Sequence, residues 1–261
     1  MLTLSSVDLD ALLALFFFPF ARILAWLSFD PLLGTTSIPL RMRVVLGFVL
    51  TVALAPILPT APPVALASGA GLLVLLQQIA IGAVLGFSLR IVYAVIEFAG
   101  QFMAMQMGLS FATMFDPING AQTPVVAQLM TLTTTLILFA FNGHHVILAA
   151  LAESFDEIPI AAVLNAPGFA NVVLWGGSIF ASGLHIALPV TAALLATNLT
   201  IGMMSRAAPQ LNIFAIGFPL TLGAGFIVLY FTLAFLPAQL DQIWLQGVQA
   251  GVSAMRRVGL P

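Results

Sequence analysis

Few side chains in this 261-residue chain have the chemistry that catalysis or metal binding requires. His144 and His145 are adjacent, so on a helix their imidazoles point in different directions, unlike two histidines spaced i, i+4 around one metal ion. His185 has no acidic residue near it in the sequence, and there is no HExxH motif. Cysteine is absent, which excludes thiol nucleophiles and thiolate metal sites. The sequence therefore predicts no metal centre and no cysteine-based active site.

The patterns of serine catalysis and nucleotide binding are also missing. Ser110 lies between Leu109 and Phe111 rather than in a GxSxG motif, and a serine–lysine pair is impossible because the chain has no lysine. The glycine pairs at 69–71 and 223–225 lack the preceding strand and following residues of a phosphate-binding loop. We therefore expect no enzyme activity and no cofactor.

Ionisable residues interrupt the apolar sequence at a few positions. Arg90 and Glu97 are seven residues apart, so in a helix they share one face and lie about 10 Å apart along the axis. Gln101 and Met105 continue that face. Ionisable groups at membrane depth cost roughly 2.5 to 3.5 kcal/mol and usually face a protein interior or a wet cavity. Either this strip lines a passage or each residue pairs across a helix interface, and for Arg22 a third option is extension to the membrane surface.

A methionine-rich segment, QFMAMQMGLSFATMFDPINGAQTP at residues 101–124, is the most unusual feature of the chain. It holds four of the ten methionines among small and aromatic residues. Thioether side chains are flexible and fill irregular gaps, whereas Gly108 and Pro117 interrupt a continuous helix. These properties indicate a deformable apolar barrier.

The composition places these residues in a membrane protein. The chain is 61% hydrophobic and 6% charged, with a mean hydropathy of +1.15, whereas soluble domains are about a quarter charged. Its net charge of −2 offers no basic surface for nucleic acid. Apolar runs near the length of about 20 residues that spans a bilayer occur at 11–29, 44–59, 66–96, 125–152, 170–204 and 211–236. We predict an all-α polytopic membrane protein of about six helical elements, in a single membrane domain over residues 1–261.

Charged loops suggest how these elements cross the membrane. If Arg41 and Arg43 are cytoplasmic, the N-terminus lies outside, Arg206 lies inside and the acidic loop at 153–168 lies outside, as the positive-inside rule prefers. Six spans would then leave the two C-terminal arginines at 256–257 outside. Either one element does not cross or the rule is overridden.

Small residues recur every four positions in two series, each of which forms a stripe on a helix. The residues are Gly82 and Gly86, then Gly100, Ala104, Gly108 and Ala112. Such stripes let helix backbones approach closely in lipid. The contact is either within this chain or with another subunit.

Three stretches together resemble a known family. They are IPLRMRVVLGFVLTVALAPILP at 38–59, MGLSFATMFDP at 107–117 and GMMSRAAPQLNIFAIGFPL at 202–220. In order and spacing, nearly the whole chain is similar to the FliR family of flagellar biosynthetic proteins and, more distantly, to its SctT relatives in virulence injectisomes.

The resemblance implies a non-enzymatic subunit of the type III export gate, in the bacterial inner membrane at the flagellar basal body. Its implied partners are FliP and FliQ, the neighbouring FlhB, and the unfolded flagellar proteins that are exported. In that family the subunit looks like one FliP-like and one FliQ-like part fused, and it closes a right-handed helical assembly. Helical hairpins in that assembly can be lifted out of the bilayer plane, which would account for the C-terminal arginines.

The resemblance also assigns residues. The family's pore plug maps onto residues 107–117. Arg206 belongs to the matched stretch SRAAPQLN and takes an assembly or cytoplasmic-face role, and Arg90, Glu97 and Gln101 are grouped with it as intramembrane polar or assembly residues. The expected plug and seal residues are Met103, Met105, Met107, Gly108, Leu109, Ser110, Phe111, Ala112, Thr113, Met114, Phe115, Asp116 and Pro117. The alternatives are a small-solute transporter or channel, which should show internal symmetry, an injectisome export-gate subunit, and a scaffold without a passage.

Overall fold

The computed structural model describes residues 6–35, 37–58, 64–109, 124–162, 166–210 and 212–253. Those residues form α-helices, with a short 3-10 turn at Ala55–Ile57 and no strand. The helices are α1 Ser6–Phe29, α2 Leu40–Leu54, α3 Gly69–Gln106, α4 Val125–Ala140, α5 Gly143–Glu157, α6 Ala166–Gly176, α7 Ser178–Ala207 and α8 Ile213–Ser253. The predicted all-α fold is confirmed.

The predicted polytopic character is confirmed as well. In the described part of the chain, four helical stretches are long and apolar enough to cross a membrane, namely Leu40–Ile57, Gly69–Gln106, Val172–Ala207 and Ala215–Gly251. A fifth span results if α4 and α5 count as one broken span. The apolar part of α1, Leu13–Phe29, is shorter than these.

Two of the six predicted runs are each divided into two helices. Asn142 separates α4 from α5 and adopts a left-handed backbone conformation with φ 55°, which asparagine tolerates better than most residues. Gly177 separates α6 from α7. Only residues 142–145 interrupt the apolar composition of the first run and residues 176–178 that of the second, so hydropathy averaged over a spanning length predicted one element in each case.

The two longest helices exceed the thickness of a bilayer. The 38 residues of α3 and the 41 residues of α8 correspond to about 57 Å and about 62 Å at 1.5 Å per residue. The hydrocarbon core of a bilayer is only about 30 Å thick. Pro219 and Pro237 lie inside α8, where each removes a main-chain hydrogen bond and favours a kink.

The chain divides into two compact units, which we call unit 1 and unit 2. Unit 1 comprises residues 1–91, 142–176 and 244–261, and unit 2 comprises residues 92–141 and 177–243. Helices α3 and α8 contribute residues to both units.

In unit 1, glycines bring α3 against the backbone of α1. A β-carbon on Gly86 would lie 2.7 Å from the main-chain oxygen of Trp26, and one on Gly82 would meet the main-chain oxygen of Arg22. The contact moves from Gly82 to Gly86 along α3 as it moves from Arg22 to Trp26 along α1, so the two helices run parallel here. The small residues therefore make a contact within the chain.

Arg22 is fully buried in unit 1 and does not extend to a surface. Its Nε donates to Gln78 Oε1 at 2.8 Å, and its two Nη atoms donate to the main-chain oxygens of Ser154 at 2.7 Å and Ile158 at 2.8 Å. The guanidinium also lies 4.1 Å from the ring centroid of Phe155. Ile158 is the C-cap of α5, and carbonyls at a helix C-terminus carry partial negative charge, so Arg22 stabilises that helix end.

Candidate functional site

Helix α3 ends where the methionine-rich segment becomes irregular. Gly108 has φ 79°, its amide donates to the Met105 oxygen at 3.1 Å, and the Leu109 amide donates to the Ala104 oxygen at 3.0 Å. This pair of bonds is a Schellman motif, which requires a left-handed residue and favours glycine. Gly108 therefore terminates the helix, as expected of a residue that interrupts a continuous helix, and the predicted helical stripe of small residues does not extend to it.

Helices α3 and α4 form an antiparallel hairpin on either side of the segment. The hydroxyls of Tyr93 and Thr135 lie 3.3 Å apart, and a β-carbon on Gly100 would lie 2.9 Å from the Ala127 amide nitrogen. Residue numbers rise along α3 as they fall along α4, which defines the antiparallel direction. The hairpin therefore brings the two ends of the segment 110–123 to the same end of unit 2.

Most of the predicted plug lies outside the described residues. These plug residues are Ser110, Phe111, Ala112, Thr113, Met114, Phe115, Asp116 and Pro117. Ala112 is also the last residue of the predicted small-residue stripe. The C-terminal arginines at 256–257 also lie outside the described residues.

The methionines at the base of the segment have different environments. Met103 and Met107, one helical turn apart, are 0% exposed, whereas Met105 is 54% exposed. Met107 packs against Gly225 of α8, where a β-carbon would lie 2.7 Å from the Met107 Cγ. Met103 and Met107 thus pack inside unit 2, and Met105 lies at its surface.

A second close contact brings α7 against the same part of α3. A β-carbon on Gly183 would lie 2.6 Å from Cδ1 of Phe98, and the rings of Phe98 and Phe180 meet edge to face with centroids 5.3 Å apart. Ala104 is fully buried. Helices α4, α7 and α8 therefore all pack on the end of α3 that leads into the segment.

The residues predicted to form a polar strip on α3 are exposed or half-buried. Gln101 is exposed, and its Nε2 donates to Oε1 of the half-buried Glu97 at 3.2 Å. Arg90 is exposed in unit 1, and Arg206 is exposed in the last turn of α7. A cation in that last turn interacts favourably with the negative end of the helix dipole.

The histidines show no arrangement for metal binding. Within the described residues, no group of three histidine, cysteine, aspartate or glutamate side chains lies close enough to hold a metal ion. The rings of His144 and His145 lie with centroids 4.2 Å apart, and His185 is exposed on α7.

Comparison with known proteins gives the family. The sequence profile of the bacterial export proteins, family 1, matches residues 13–247. The flagellar biosynthetic protein FliR of Pectobacterium carotovorum subsp. carotovorum is 41% identical over 240 residues, which cover 91% of each chain. The chain belongs to the FliR family of bacterial export proteins. The FliR protein of Escherichia coli K12 is 41% identical over 226 residues, which cover 86% of each chain. The FliR protein of Bacillus subtilis 168 is 29% identical over 220 residues, which cover 82% of this chain and 84% of its own.

Membership of the FliR family confirms the resemblance drawn from the three sequence stretches. The stretch 38–59 corresponds to α2 and its 3-10 turn, and the stretch 202–220 joins the end of α7 to the start of α8. The stretch 107–117 begins at the end of α3.

Sequence reasoning missed Gly225 and Gly183 as packing residues of this FliR-family chain. In the sequence, Gly225 belongs to a glycine pair that lacks the features of a phosphate-binding loop. The sequence signal for such a packing residue is a glycine inside a long apolar helix, since glycine there often marks the close approach of another helix. The sequence does not indicate which helix approaches, and the structure supplies Met107 and Phe98 as the contacts.

Proposed function

We propose that this chain is a subunit of the flagellar type III protein export gate, where it helps form and plug the pore that exports unfolded flagellar proteins. The observation that carries the proposal is the match of residues 13–247 to a family of bacterial export proteins. The relatives are named flagellar biosynthetic proteins, which favours a role in the flagellar export gate over a role in an injectisome. In this role the chain is a structural component without enzyme activity.

The proposed setting is a hetero-oligomer in the bacterial inner membrane at the flagellar basal body. FliP and FliQ are the proposed partners in a right-handed helical assembly, and FlhB is the proposed neighbour. The chain acts as one export-gate domain, with fused FliP-like and FliQ-like parts. The sharing of α3 and α8 between unit 1 and unit 2 supports a single domain.

Broad apolar surfaces support assembly with lipid and other subunits. Large hydrophobic side chains are exposed along α2, α7 and α8, among them Val45, Phe48, Leu199, Tyr230 and Phe235. In a membrane protein such surfaces are covered by lipid or by neighbouring helices.

The proposed plug is the segment 107–117, supported at its base by the helices of unit 2. An exported unfolded chain presents every type of side chain, so the gate cannot be complementary to one shape. Apolar side chains such as Phe111, Met114 and Phe115 can close a pore by mutual contact and dewetting, and then yield to a polypeptide. Buried Met103 and Met107 would anchor this seal, and exposed Met105 would contribute to its surface.

The polar strip of α3 is proposed to face a passage or a partner subunit. Glu97 and Gln101 are bonded to each other along one helix, and Gln101 is exposed. Because polar side chains exposed to hydrocarbon are costly, a wet passage or a protein surface is the favourable environment. The same environment, a wet passage or the surface of a partner subunit, is proposed for the exposed Arg90.

Deletion of residues 108–115 tests the plug. We expect the complex with FliP and FliQ to be recovered from native membranes, because the packing of Met103 and of the α3–α4 hairpin is retained. Ion leak, measured with a membrane-potential dye in cells expressing the full set of gate proteins, should rise. The removed residues are those expected to exclude water and ions from the closed pore.

A matched control changes the same segment without reducing its apolar volume. Ser110→Ala combined with Thr113→Ala should leave the ion leak at the wild-type level. An intact complex whose deletion variant conducts no more than wild type would refute the plug assignment.

A further inference from the structure

The side chain of Met107 lies directly over a glycine of another helix. A β-carbon on Gly225 would lie 2.7 Å from the Met107 Cγ, 2.9 Å from its Cε and 3.1 Å from its Sδ. Met107 is 0% exposed, and Gly225 is buried. The absence of a side chain on Gly225 therefore creates the space that the thioether occupies.

Met107 is also the last residue before the chain leaves the helix. Its amide donates to the Met103 oxygen at 2.9 Å, as in a regular turn of helix, and Gly108 then adopts its left-handed conformation. The Met107 side chain is therefore held at the point where helix α3 ends.

We propose that Gly225 is a positioning residue of the plug, because it provides the seat in which Met107 holds the base of the plug segment. This inference rests on the proposed function of residues 107–117. A change that displaces Met107 from this seat would therefore disturb the base of the plug.

The atoms that surround Gly225 distinguish this role from ordinary helix packing. The three atoms nearest to an added β-carbon all belong to the flexible Met107 side chain, whereas a β-carbon on Gly100 meets the backbone of Ala127. An alanine at residue 225 therefore displaces Met107 while the helices keep their positions.

The chain supplies a matched control on the same helix. Gly223 has nothing within 4 Å of an added β-carbon, and it is exposed. Gly223→Ala and Gly225→Ala raise helix propensity equally, and of the two only Gly225→Ala introduces a contact with Met107.

The test compares four variants of the full chain in its native complex: G225A, G223A, M107A, and G225A with M107A. G225A should raise the ion leak by about fivefold or more, since overpacking strain of the usual size shifts a two-state equilibrium at least that far. G223A should leave the leak unchanged. Recovery of the complex should remain at the wild-type level in both.

The double variant gives a readout that a general loss of stability would not produce. M107A should also raise the leak because it empties the seat, and the methyl group of an alanine at 225 should partly refill it. The double variant should therefore leak less than either single variant.

Three results would overturn the inference. They are a leak in G225A no larger than in G223A, a double variant that leaks more than both single variants, and loss of the complex in G225A, which would assign Gly225 to helix packing. If deletion of residues 108–115 raises the leak but G225A does not, the inference fails and the proposed function stands. If the deletion has no effect, both fail.

Discussion

A single guanidinium connects three helices of unit 1. Arg22 of α1 donates to Gln78 of α3 and to the carbonyls of Ser154 and Ile158 at the end of α5. All of these acceptors are neutral, so the charge is stabilised by hydrogen bonds, by the α5 dipole and by the Phe155 ring. Arg22 thus acts in folding, and the sequence had left that role open.

Replacing Arg22 with methionine should destabilise the protein by about 3 kcal/mol or more, because several buried acceptors lose their donor. Lysine should also destabilise it, since one ammonium cannot reproduce the planar fork that reaches three acceptors. Thermal unfolding in detergent measures the effect. Arg41→Met, at an exposed position, is the control. A wild-type melting temperature for Arg22→Lys would contradict this account.

Asp30 is a buried carboxyl in the turn that follows α1. Its Oδ1 accepts from the amides of Leu32 at 2.9 Å and Leu33 at 2.8 Å. Burial raises the pKa of the Asp30 carboxyl, and these two hydrogen bonds only partly oppose the rise. The folded protein therefore binds this proton more tightly than the unfolded chain does.

The raised pKa makes a prediction about pH. The stability that Asp30 contributes should be fully present below the pKa that its carboxyl has in the unfolded chain. It should be lost as the pH rises through the higher pKa that the carboxyl has in the folded protein. Asp30→Asn keeps the acceptor oxygen and carries no charge, so at neutral pH it should be at least as stable as wild type. The difference in unfolding free energy between the two should shrink on acidification.

Asp30→Ala is the matched control for that comparison. It removes the acceptor as well as the charge and should be less stable than Asp30→Asn by about 1 to 3 kcal/mol at every pH, because two amides lose their partner and neither variant titrates at this position. Unfolding in detergent, followed as a function of pH for the three proteins, measures the effect. A difference between wild type and Asp30→Asn that does not vary with pH would contradict the prediction.

At the scale of elements, the α3–α4 hairpin determines where the plug segment begins and ends. Its closest approach is at Gly100, where an added β-carbon would lie 2.9 Å from the Ala127 amide nitrogen and 3.0 Å from the Ala127 Cβ. Because the nearest atoms belong to backbone, the contact yields only if the helices separate.

Gly100→Ala should therefore destabilise unit 2 by about 1 to 3 kcal/mol, less the helix propensity that alanine gains. Gly202→Ala in α7 has nothing within 4 Å of the new carbon and should be neutral or slightly stabilising. Thermal unfolding of the two variants in the same detergent provides the comparison. Equal melting temperatures would show that the hairpin does not depend on close approach at Gly100.

At the scale of the whole molecule, the exposed cation at the end of α7 is a candidate assembly contact. Arg206 belongs to the stretch 202–220, one of the three that resemble the FliR family, and its side chain is exposed. Arg206→Ala should lower co-purification with FliP and FliQ, by about tenfold if it acts as an interface arginine of the usual strength. Asp156→Ala, also at an exposed position, is the control. Normal recovery of the complex with Arg206→Ala would refute the assembly role.

The sequence alone determined the class of the protein, most of its helical elements and its family. Six apolar runs of spanning length predicted the helices, two of which the structure divides, and Gly108 was expected to interrupt the helix that enters the methionine-rich segment. These properties depend on residues that are close together in the chain. The amount of apolar surface in each run and the backbone preference of a glycine need no knowledge of distant contacts.

Only the tertiary structure decided which face of each helix is inside. In a soluble helix the polar face identifies the surface, but here both the lipid-facing and the buried faces are apolar. Met103, Met105 and Met107 therefore look equivalent in the sequence, although two are buried and one is exposed. The partners of Arg22 and the seat at Gly225 were hidden for the same reason, because each depends on helices that are distant in the sequence.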